Sequence, residues 1–422
     1  MIFESARGAE GICLFFEQPP NRLNPIVKFT RDGHLLNETD FILTSCVFFI
    51  INGLVSVLDG HVSPCSQRGS FTLVVRDLKG DRMAIYTEIK KTDATKIVEE
   101  FALGDLVSSS GIKNGSVNTH YLLETKRGRF FAKIDEVKSE LEVKQELDLL
   151  FHLRKQGFPC LQPLKTKTGR YYIEFRGKCL TVSRHLDGIE LPIESLTGSH
   201  LGILGHTLAN LHLIGRSYKK GIDNRFGFSR IVAIYRDVRR QLPSHLRNIV
   251  RVLDDEFSYL ENYLDNNLPK GIIHGDFFPD NVRFKGSRLV GVMDFEAACR
   301  GKLIYDLATA VNALCFVDQR YRIDRFEALI SGYESLRPLS LPEWDSFPNE
   351  LRFSALRFTV TRIKDFYLRK TDDSQRVYKD FKEFYDRLLV LRREKSGGME
   401  DILLAMATGY DYRKYQKSKP SK

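Results

Sequence analysis

Three polar side chains lie in the stretch GIIHGDFFPDNVRF and in the LVGVMDFEAAC that follows it after a short turn. Asp276 and Asn281 are five residues apart, and Asp294 comes later. Between them, the apolar runs 282–284 and 289–293 flank a Lys-Gly-Ser-Arg turn, which predicts a β-hairpin. Because a hairpin brings its two ends together, Asp276 and Asn281 at its entrance should meet Asp294 at its exit.

This set of oxygen-bearing groups suits phosphoryl transfer, which needs positioning and charge neutralisation more than covalent chemistry from the protein. We predict that Asp276 orients an attacking hydroxyl and accepts its proton. Amide and carboxylate oxygens are ligands that Mg²⁺ prefers, so Asn281 and Asp294 are predicted to hold Mg²⁺ across the phosphates of ATP. Asp280 is expected to cap the turn after Pro279 rather than to bind metal.

The motifs HGDFFPDN and MDFE resemble the catalytic loop and metal motif of the aminoglycoside phosphotransferase and choline kinase superfamily. Over roughly 83–393 the chain further resembles the homoserine kinases of this superfamily. The shared motifs include MAIYTE at 83–88, NRFG at 224–227, YDLA at 305–308, RPLS at 337–340 and ALRF at 355–358. The resemblance implies a kinase-like fold and transfer of the terminal phosphate of ATP to homoserine, on the route to threonine.

The order of secondary-structure signals predicts an α+β, bilobal fold, and the resemblance implies that this fold is protein-kinase-like. Residues 121–124 and 129–134 alternate as two strands of a hairpin, and 141–153 have helical spacing. A second hairpin is predicted over 171–175 and 179–185, after which the chain is mostly helical. We therefore expect a small antiparallel-sheet N-lobe and a larger, mainly helical C-lobe.

The predicted boundaries are an N-terminal extension at 1–82, a nucleotide-binding N-lobe at 83–187, a catalytic and substrate-binding C-lobe at 188–412 and a basic tail at 413–422. The extension contains an uncharged run, 41–58, at the lower length limit for a weak membrane segment. Met83 resembles a true protein start, and the codons before it can contain a ribosome-binding sequence. Two interpretations stay open, namely that the extension is translated upstream DNA or that it carries a membrane segment.

The nucleotide side of the site is expected around Lys133, which ends the strand RFFAKI. A lysine at this place in a kinase-like lobe binds the α- and β-phosphates of ATP. Glu146, on the following helix, is the predicted ion-pair partner of Lys133, with Glu140 and Glu142 as competing candidates.

The segment SSSGIKNGSVN, 108–118, stands where a phosphate-covering loop belongs. Its glycines allow backbone amides to approach an anion. We include Ser110, Gly111 and Asn118 among the predicted nucleotide-binding residues.

A free amino acid as acceptor needs a cation for its carboxylate and an acidic group for its ammonium. Arg357 and Arg362 are five apart in one predicted helix and therefore lie on different faces. One is expected to face the cleft, and the other to form a structural ion pair with Asp365. Glu296 follows the metal motif where homoserine kinases tend to have an aromatic residue, and it is the third acceptor-site candidate.

The composition argues against several other classes of function. The chain has 422 residues, 42% of them hydrophobic, and a formal charge of +10, enough for two or three packed units. The excess of basic residues fits attraction of a nucleotide, and without a compact basic-aromatic motif no nucleic-acid partner is expected. Seven cysteines without a CxxC pair argue against zinc or disulfides and for a cytoplasmic location. No stable membrane association is expected.

The acceptor and the assembly remain less well defined than the reaction. Kinases for other small amino alcohols, such as choline, ethanolamine, hydroxylysine or an aminoglycoside, are the first alternative. A non-catalytic nucleotide-binding protein is the second, although it would not need Asp276, Asn281 and Asp294 together. Oligomeric state stays open.

Overall fold

The computed structural model describes most of the chain after residue 86, together with the backbone of five short strands before it. The described ranges are 12–17, 26–31, 34–35, 47–51, 54–58, 87–112, 117–369 and 378–393. The chain divides into two compact units, Met1–Met83 and Ala84–Lys422.

The first unit contains two small antiparallel sheets. Strands β1 (Ile12–Glu17), β2 (Ile26–Arg31) and β3 (His34–Leu35) form one sheet in that order. Strands β4 (Val47–Ile51) and β5 (Leu54–Leu58) form the other.

The uncharged run 41–58 is therefore a β-hairpin in its described part, not a single apolar helix. Two apolar runs of five residues are separated by Asn52-Gly53, a dipeptide strongly associated with tight hairpins. Residues 41–46 lie outside the described part of the chain. Within the described residues, none of the helices has both the length and the apolar character needed to cross a membrane.

The second unit begins with the predicted sheet-rich lobe. Its elements are α1 (Lys91–Glu100), β6 (Leu106–Ile112), β7 (Thr119–Thr125), β8 (Gly128–Asp135), α2 (Glu140–Lys155), β9 (Ile173–Phe175) and β10 (Lys178–Arg184). The sheet is antiparallel with strand order β6-β7-β8-β10-β9. Both hairpins and the helix predicted from sequence are confirmed, with bounds within about two residues.

Local sequence explains how this lobe presents side chains to the site. Ser139 begins α2 with a capping box, in which Glu142 bonds back to the Ser139 amide at 2.8 Å. Along β8 the side chains alternate, so that Phe130, Ala132 and Ile134 enter the core of the lobe. The intervening positions, Lys133 among them, face the cleft.

The helical lobe follows and contains seven helices among the described residues. They are α3 (Gly198–Gly215), α4 (Phe228–Gln241), α5 (Arg247–Tyr263), α6 (Leu303–Leu314), α7 (Ile323–Glu334), α8 (Leu341–Arg362) and α9 (Lys382–Arg392). Short antiparallel pairs join β11 (Lys270–Ile273) to β14 (Cys299–Lys302), β12 (Val282–Lys285) to β13 (Arg288–Val292), and β15 (Phe316–Val317) to β16 (Arg320–Tyr321).

Helix α6 is buried along its whole length, in the centre of the lobe's hydrophobic core. Helices α3 and α7 approach very closely at Gly205, where a Cβ atom would lie 1.9 Å from the carbonyl oxygen of Leu329. This buried frame fixes the strands and turns of the site. The α+β, two-lobed organisation predicted from the sequence is confirmed.

Candidate active site

The β12–β13 hairpin brings the three predicted catalytic groups together. Val282 pairs with Val292, and the Met293 amide donates to the Asn281 carbonyl at 2.8 Å. Asn281 donates from Nδ2 to the Asp276 carbonyl at 2.8 Å. Asp276, Asn281 and Asp294 therefore line one cleft, which Lys133 borders from the sheet-rich lobe. Their predicted convergence is confirmed, whereas their roles stay proposals.

The loop that carries Asp276 is held from behind by Asp306, a residue of the YDLA motif. Asp306 is fully buried and accepts from the amides of His274 (2.7 Å) and Gly275 (2.8 Å) and from His212 Nε2 (3.0 Å). Burial opposes its charge, yet these hydrogen bonds keep the pKa of Asp306 below its usual value. The carboxylate therefore acts as the internal anchor of the loop.

We expect Asp306→Ala to lower the free energy of unfolding by about 3–5 kcal/mol, because it leaves buried donors without an acceptor. Since the folded pKa is depressed, this stabilisation is present above the ordinary aspartate value of 3.8 and is lost as pH falls through the folded pKa. Urea denaturation of the parent and the variant measures this loss of unfolding free energy. Asp237→Ala, at an exposed position, is the matched control. Equal losses in the two variants would refute the anchoring role.

Two residues of the site have positive φ angles. Gly275 has φ +75°, and a Cβ atom there would lie 2.8 Å from the carbonyl oxygen of Ala297, so the turn before Asp276 requires glycine. Asp294 has φ +56°, and its Oδ1 accepts from the Glu296 amide at 3.3 Å. A non-glycine residue held in the left-handed region is the kind of local strain found at functional sites.

His274 braces the catalytic loop rather than facing substrate. Its Nδ1 accepts from the Asp276 amide at 3.3 Å, and its Nε2 therefore donates to the Met293 carbonyl at 2.9 Å. The fully buried ring thus connects the loop to the exit of the hairpin.

Asp294 projects into the cleft, where the surrounding protein nevertheless desolvates its carboxylate. Desolvation, and next the negative charge of Asp276, raise the pKa of Asp294, while Lys133 opposes the shift. Two carboxylates that share a desolvated cleft with too little positive charge favour binding of a cation.

Lys133 and Glu146 form the predicted ion pair, with Nζ 2.9 Å from Oε1. Burial opposes the charge of Glu146, yet Lys133 and Lys138 hold its pKa well below the usual range. The two alternative partners of Lys133 make other contacts. Glu140 pairs with Lys144, and Glu142 caps α2.

Asp135 is a site residue that the sequence interpretation missed. It lies 3.2 Å from Lys133 Nζ, two positions further along the same strand face, and its side chain is fully buried. Burial raises the pKa of Asp135 to about 6. The two-residue spacing in β8 was the available signal, because alternate residues of a strand share a face.

The predicted phosphate-covering segment is a loop only in part. Ser110 and Gly111 belong to β6 and pair with β7, whereas Ile112, Val117 and Asn118 line the cleft. Residues 113–116 lie outside the described ranges. The nucleotide-binding role of Ser110 and Gly111 stays a prediction.

Asn118 instead connects the two lobes through Glu296. Its Nδ2 donates to Glu296 Oε2 at 2.8 Å, and its Oδ1 accepts from the Glu136 amide at 3.0 Å. Arg225 contacts the same acid, with Nη2 3.5 Å from Oε1 and 2.7 Å from the main-chain oxygen. Glu296 lines the cleft, but its carboxylate already has protein partners.

The two predicted acceptor arginines separate as their spacing implied. Arg357 is buried, with Nη1 4.0 Å from Asp276 Oδ1. Arg362 pairs with Glu383 at 2.7 Å and donates to the Asp380 carbonyl at 2.9 Å, so it joins α8 to α9. Of the two, Arg357 is the one beside the proposed base.

A sheet-rich lobe and a helical lobe, with a lysine–glutamate pair facing an Asp-Asn-Asp set across a cleft, define a kinase-like phosphotransferase. A family model described as "Phosphotransferase enzyme family" matches residues 109–339. The chain therefore belongs to the phosphotransferase enzyme family.

Within this family, the chain is similar to curated homoserine kinases. The homoserine kinase of Chelativorans sp. (strain BNC1) is 33% identical over 325 residues, covering 76% of this chain and 100% of that protein. The homoserine kinase of Methylobacillus flagellatus is also 33% identical, over 287 residues, covering 68% and 88%.

Solved structures share the fold at low sequence identity. The amicoumacin kinase hAmiN, in complex with AMP-PNP, Ca²⁺ and Ami, has a TM-score of 0.53 at 15% identity, covering 70% of this chain and 88% of that one. A spectinomycin phosphotransferase in complex with ADP and spectinomycin has a TM-score of 0.54 at 12% identity, covering 76% and 99%.

Proposed function

We propose that this protein transfers the γ-phosphate of ATP to the side-chain hydroxyl of homoserine, using Mg²⁺ and forming O-phosphohomoserine. Homoserine kinases that align over nearly their whole length support the acceptor, and the nucleotide-bound relatives of the same fold support the donor. The reaction is assigned to the cytoplasm, where ATP and free amino acids are found.

The structural observation that best supports homoserine as the acceptor is that Arg357 is buried with donors that lack hydrogen-bond partners. Its side chain is 5% exposed, and its Cζ lies 4.1 Å from the ring centre of Phe226 and 3.8 Å from that of Phe358. Its Nε and Nη1 are buried and have no hydrogen-bond partner. A buried guanidinium with open donors is costly unless an anion completes it.

A carboxylate on Arg357 would place an amino acid beside the base. Nη1 is 4.0 Å from Asp276 Oδ1, so a short chain bound at one end to Arg357 brings its hydroxyl to Asp276. Choline and ethanolamine have no carboxylate and would leave Nε and Nη1 of Arg357 without a hydrogen-bond acceptor. This favours a hydroxy amino acid as the acceptor.

In the proposed reaction the hydroxyl oxygen forms a bond to the γ-phosphorus while the bond from that phosphorus to the β,γ-bridging oxygen breaks. Asp276 takes the hydroxyl proton, and ADP leaves with the electron pair of the broken bond. Lys133, which is paired with Glu146 and Asp135, would hold the α- and β-phosphates.

The residues present fit a divalent cation. Asn281 uses its Nδ2 on Asp276, which leaves its Oδ1 as the atom available to a metal, and Asp294 contributes a carboxylate. Among the described residues no group of three or more His, Cys, Asp or Glu side chains forms a metal site. Asn281 and Asp294 would hold Mg²⁺, an ion that is usually bound by few protein ligands, and the ion would neutralise phosphate charge when bound.

We expect Arg357→Met to raise the KM for homoserine by about two decades, because it removes the main partner of the carboxylate. The KM for ATP should change less than about twofold. Arg362→Met is the matched control, since that arginine pairs with Glu383 of α9. An unchanged homoserine KM in Arg357→Met would remove the acceptor assignment.

An ADP-release assay with homoserine, choline, ethanolamine, hydroxylysine and an aminoglycoside tests the proposed function. We expect kcat/KM for homoserine to exceed every other value by at least about tenfold. Preference for an acceptor without a carboxylate would contradict the proposal. Absence of turnover with the whole panel would favour a non-catalytic nucleotide-binding protein.

A further inference from the structure

A second ion pair borders the cleft beyond Asp276. Lys379 Nζ lies 3.0 Å from Asp280 Oδ2, and their side chains are 27% and 41% exposed. Both residues line the same cleft as Asp276. Lys379 also lies outside the residues that match the family model. The proposed phosphoryl transfer assigns this pair no role.

The local structure keeps Asp280 at the edge of the site. Pro279 begins a single 3₁₀ turn, Pro279–Asn281. Arg283 donates from Nη1 to the Asp280 carbonyl at 2.9 Å, which holds the backbone of the turn. The carboxylate therefore remains at the cleft wall, where its contact is with Lys379.

The pair lies close to Asp276, since Asp280 follows it by four residues in the loop and all three residues line the same cleft. The nucleotide side is defined by the Lys133–Glu146 pair, whose charges act on Asp294. Burial disfavours the charge of Lys379, yet Asp280 and then Asp276 raise its pKa above the usual value. Lys379 thus experiences the negative charge of both acids.

We infer that Asp280 binds the α-ammonium group of the acceptor and that Lys379 binds one oxygen of its carboxylate. A free amino acid carries these opposite charges on neighbouring atoms, so an adjacent acid and base complement both. The other carboxylate oxygen belongs to Arg357. This inference rests on the proposed function, and it makes the pair a selector for zwitterionic acceptors.

Glu296 is the rival ammonium site and is less suitable. Its Oε2 accepts from Asn118 and its Oε1 faces Arg225, and its side chain is 13% exposed. An ammonium group would have to displace the hydrogen bond that joins the two lobes. Asp280 is more accessible, and the ammonium of its present partner, Lys379, is at the end of a flexible chain.

Acceptors that lack one charged group test the inference. In the full-length protein, homoserine is used as substrate, and 4-hydroxybutanoate and 3-aminopropan-1-ol as competitive inhibitors; the first lacks the ammonium and the second the carboxylate. Asp280→Asn should raise the homoserine KM and the 3-aminopropan-1-ol Ki at least about tenfold. The Ki of 4-hydroxybutanoate should rise less than about twofold.

Lys379→Met should show the opposite selectivity, weakening homoserine and 4-hydroxybutanoate but not 3-aminopropan-1-ol. Lys126→Met, which breaks an exposed pair with Asp105 at 2.8 Å, is the control and should alter none of the three. The KM for ATP, measured in parallel, should stay within about twofold, which separates acceptor binding from damage to the neighbouring Asn281.

Equal losses for both analogues in Asp280→Asn, or no loss with homoserine, would overturn the inference. If Glu296→Gln showed the ammonium-selective loss instead, the assignment would pass to Glu296 and the inference would be wrong. If the parent ignored homoserine but phosphorylated another amino alcohol, the proposed function would fail. Asp280→Asn would then be tested with that acceptor against its analogue lacking the amine.

Discussion

Asp276→Asn should lower kcat by about two to four decades while leaving the affinity for ATP nearly unchanged. The substitution keeps the size of the side chain but removes its capacity to take the hydroxyl proton. Asn281 donates to the Asp276 carbonyl as well as to its side chain, so the loop should stay in place. Steady-state kinetics and direct ATP titration measure the two effects separately.

Asp254→Asn is the matched control, because Asp254 pairs with Arg239 on the surface, away from the cleft. It should keep full activity. If Asp276→Asn retained more than about a tenth of the parent kcat, Asp276 would not be the base.

Asp294→Asn should lower kcat/KM by roughly two to three decades, because a metal-binding carboxylate contributes several kcal/mol to charge neutralisation. Asparagine is the suitable replacement, since it tolerates the left-handed backbone that Asp294 adopts, whereas alanine would add strain. The dependence of ATP affinity on Mg²⁺ concentration should largely disappear.

The measurement is ATP titration at several Mg²⁺ concentrations for parent and variant. Asp280→Asn, one residue from Asn281 but outside the proposed metal ligands, should keep the parental dependence on Mg²⁺. Identical Mg²⁺ dependence in Asp294→Asn and the parent would show that Asp294 does not hold the metal.

The catalytic group at the β12–β13 hairpin could be predicted because its residues are close in sequence. Asp276, Asn281 and Asp294 flank one hairpin, and hairpin pairing alone brings them together. Lys133 and Glu146 belong to a strand and the next helix, whose periodicities are clear in the sequence. Local rules therefore gave the sheet-rich lobe and the catalytic groups.

The acceptor side depends on long-range packing, and the sequence could not resolve it. Arg357 and Arg362 have the same chemistry, and their contacts differ because α9 covers one of them. Lys379 reaches Asp280 from 99 residues further along the chain, without a motif around it. The run 41–58 has the length and hydropathy of a weak membrane segment, but the Asn-Gly at its centre favours two strands, and 47–51 pairs with 54–58.

The most direct test of homoserine kinase activity is to identify the product by phosphorus NMR after incubation with ATP, Mg²⁺ and homoserine. We expect one new phosphomonoester signal, coupled to the side-chain methylene protons of homoserine and equal in amount to the ADP formed. The same signal should be absent with Asp276→Asn. ADP accompanied only by inorganic phosphate, or no phosphohomoserine signal while another acceptor is phosphorylated, would contradict the proposed function.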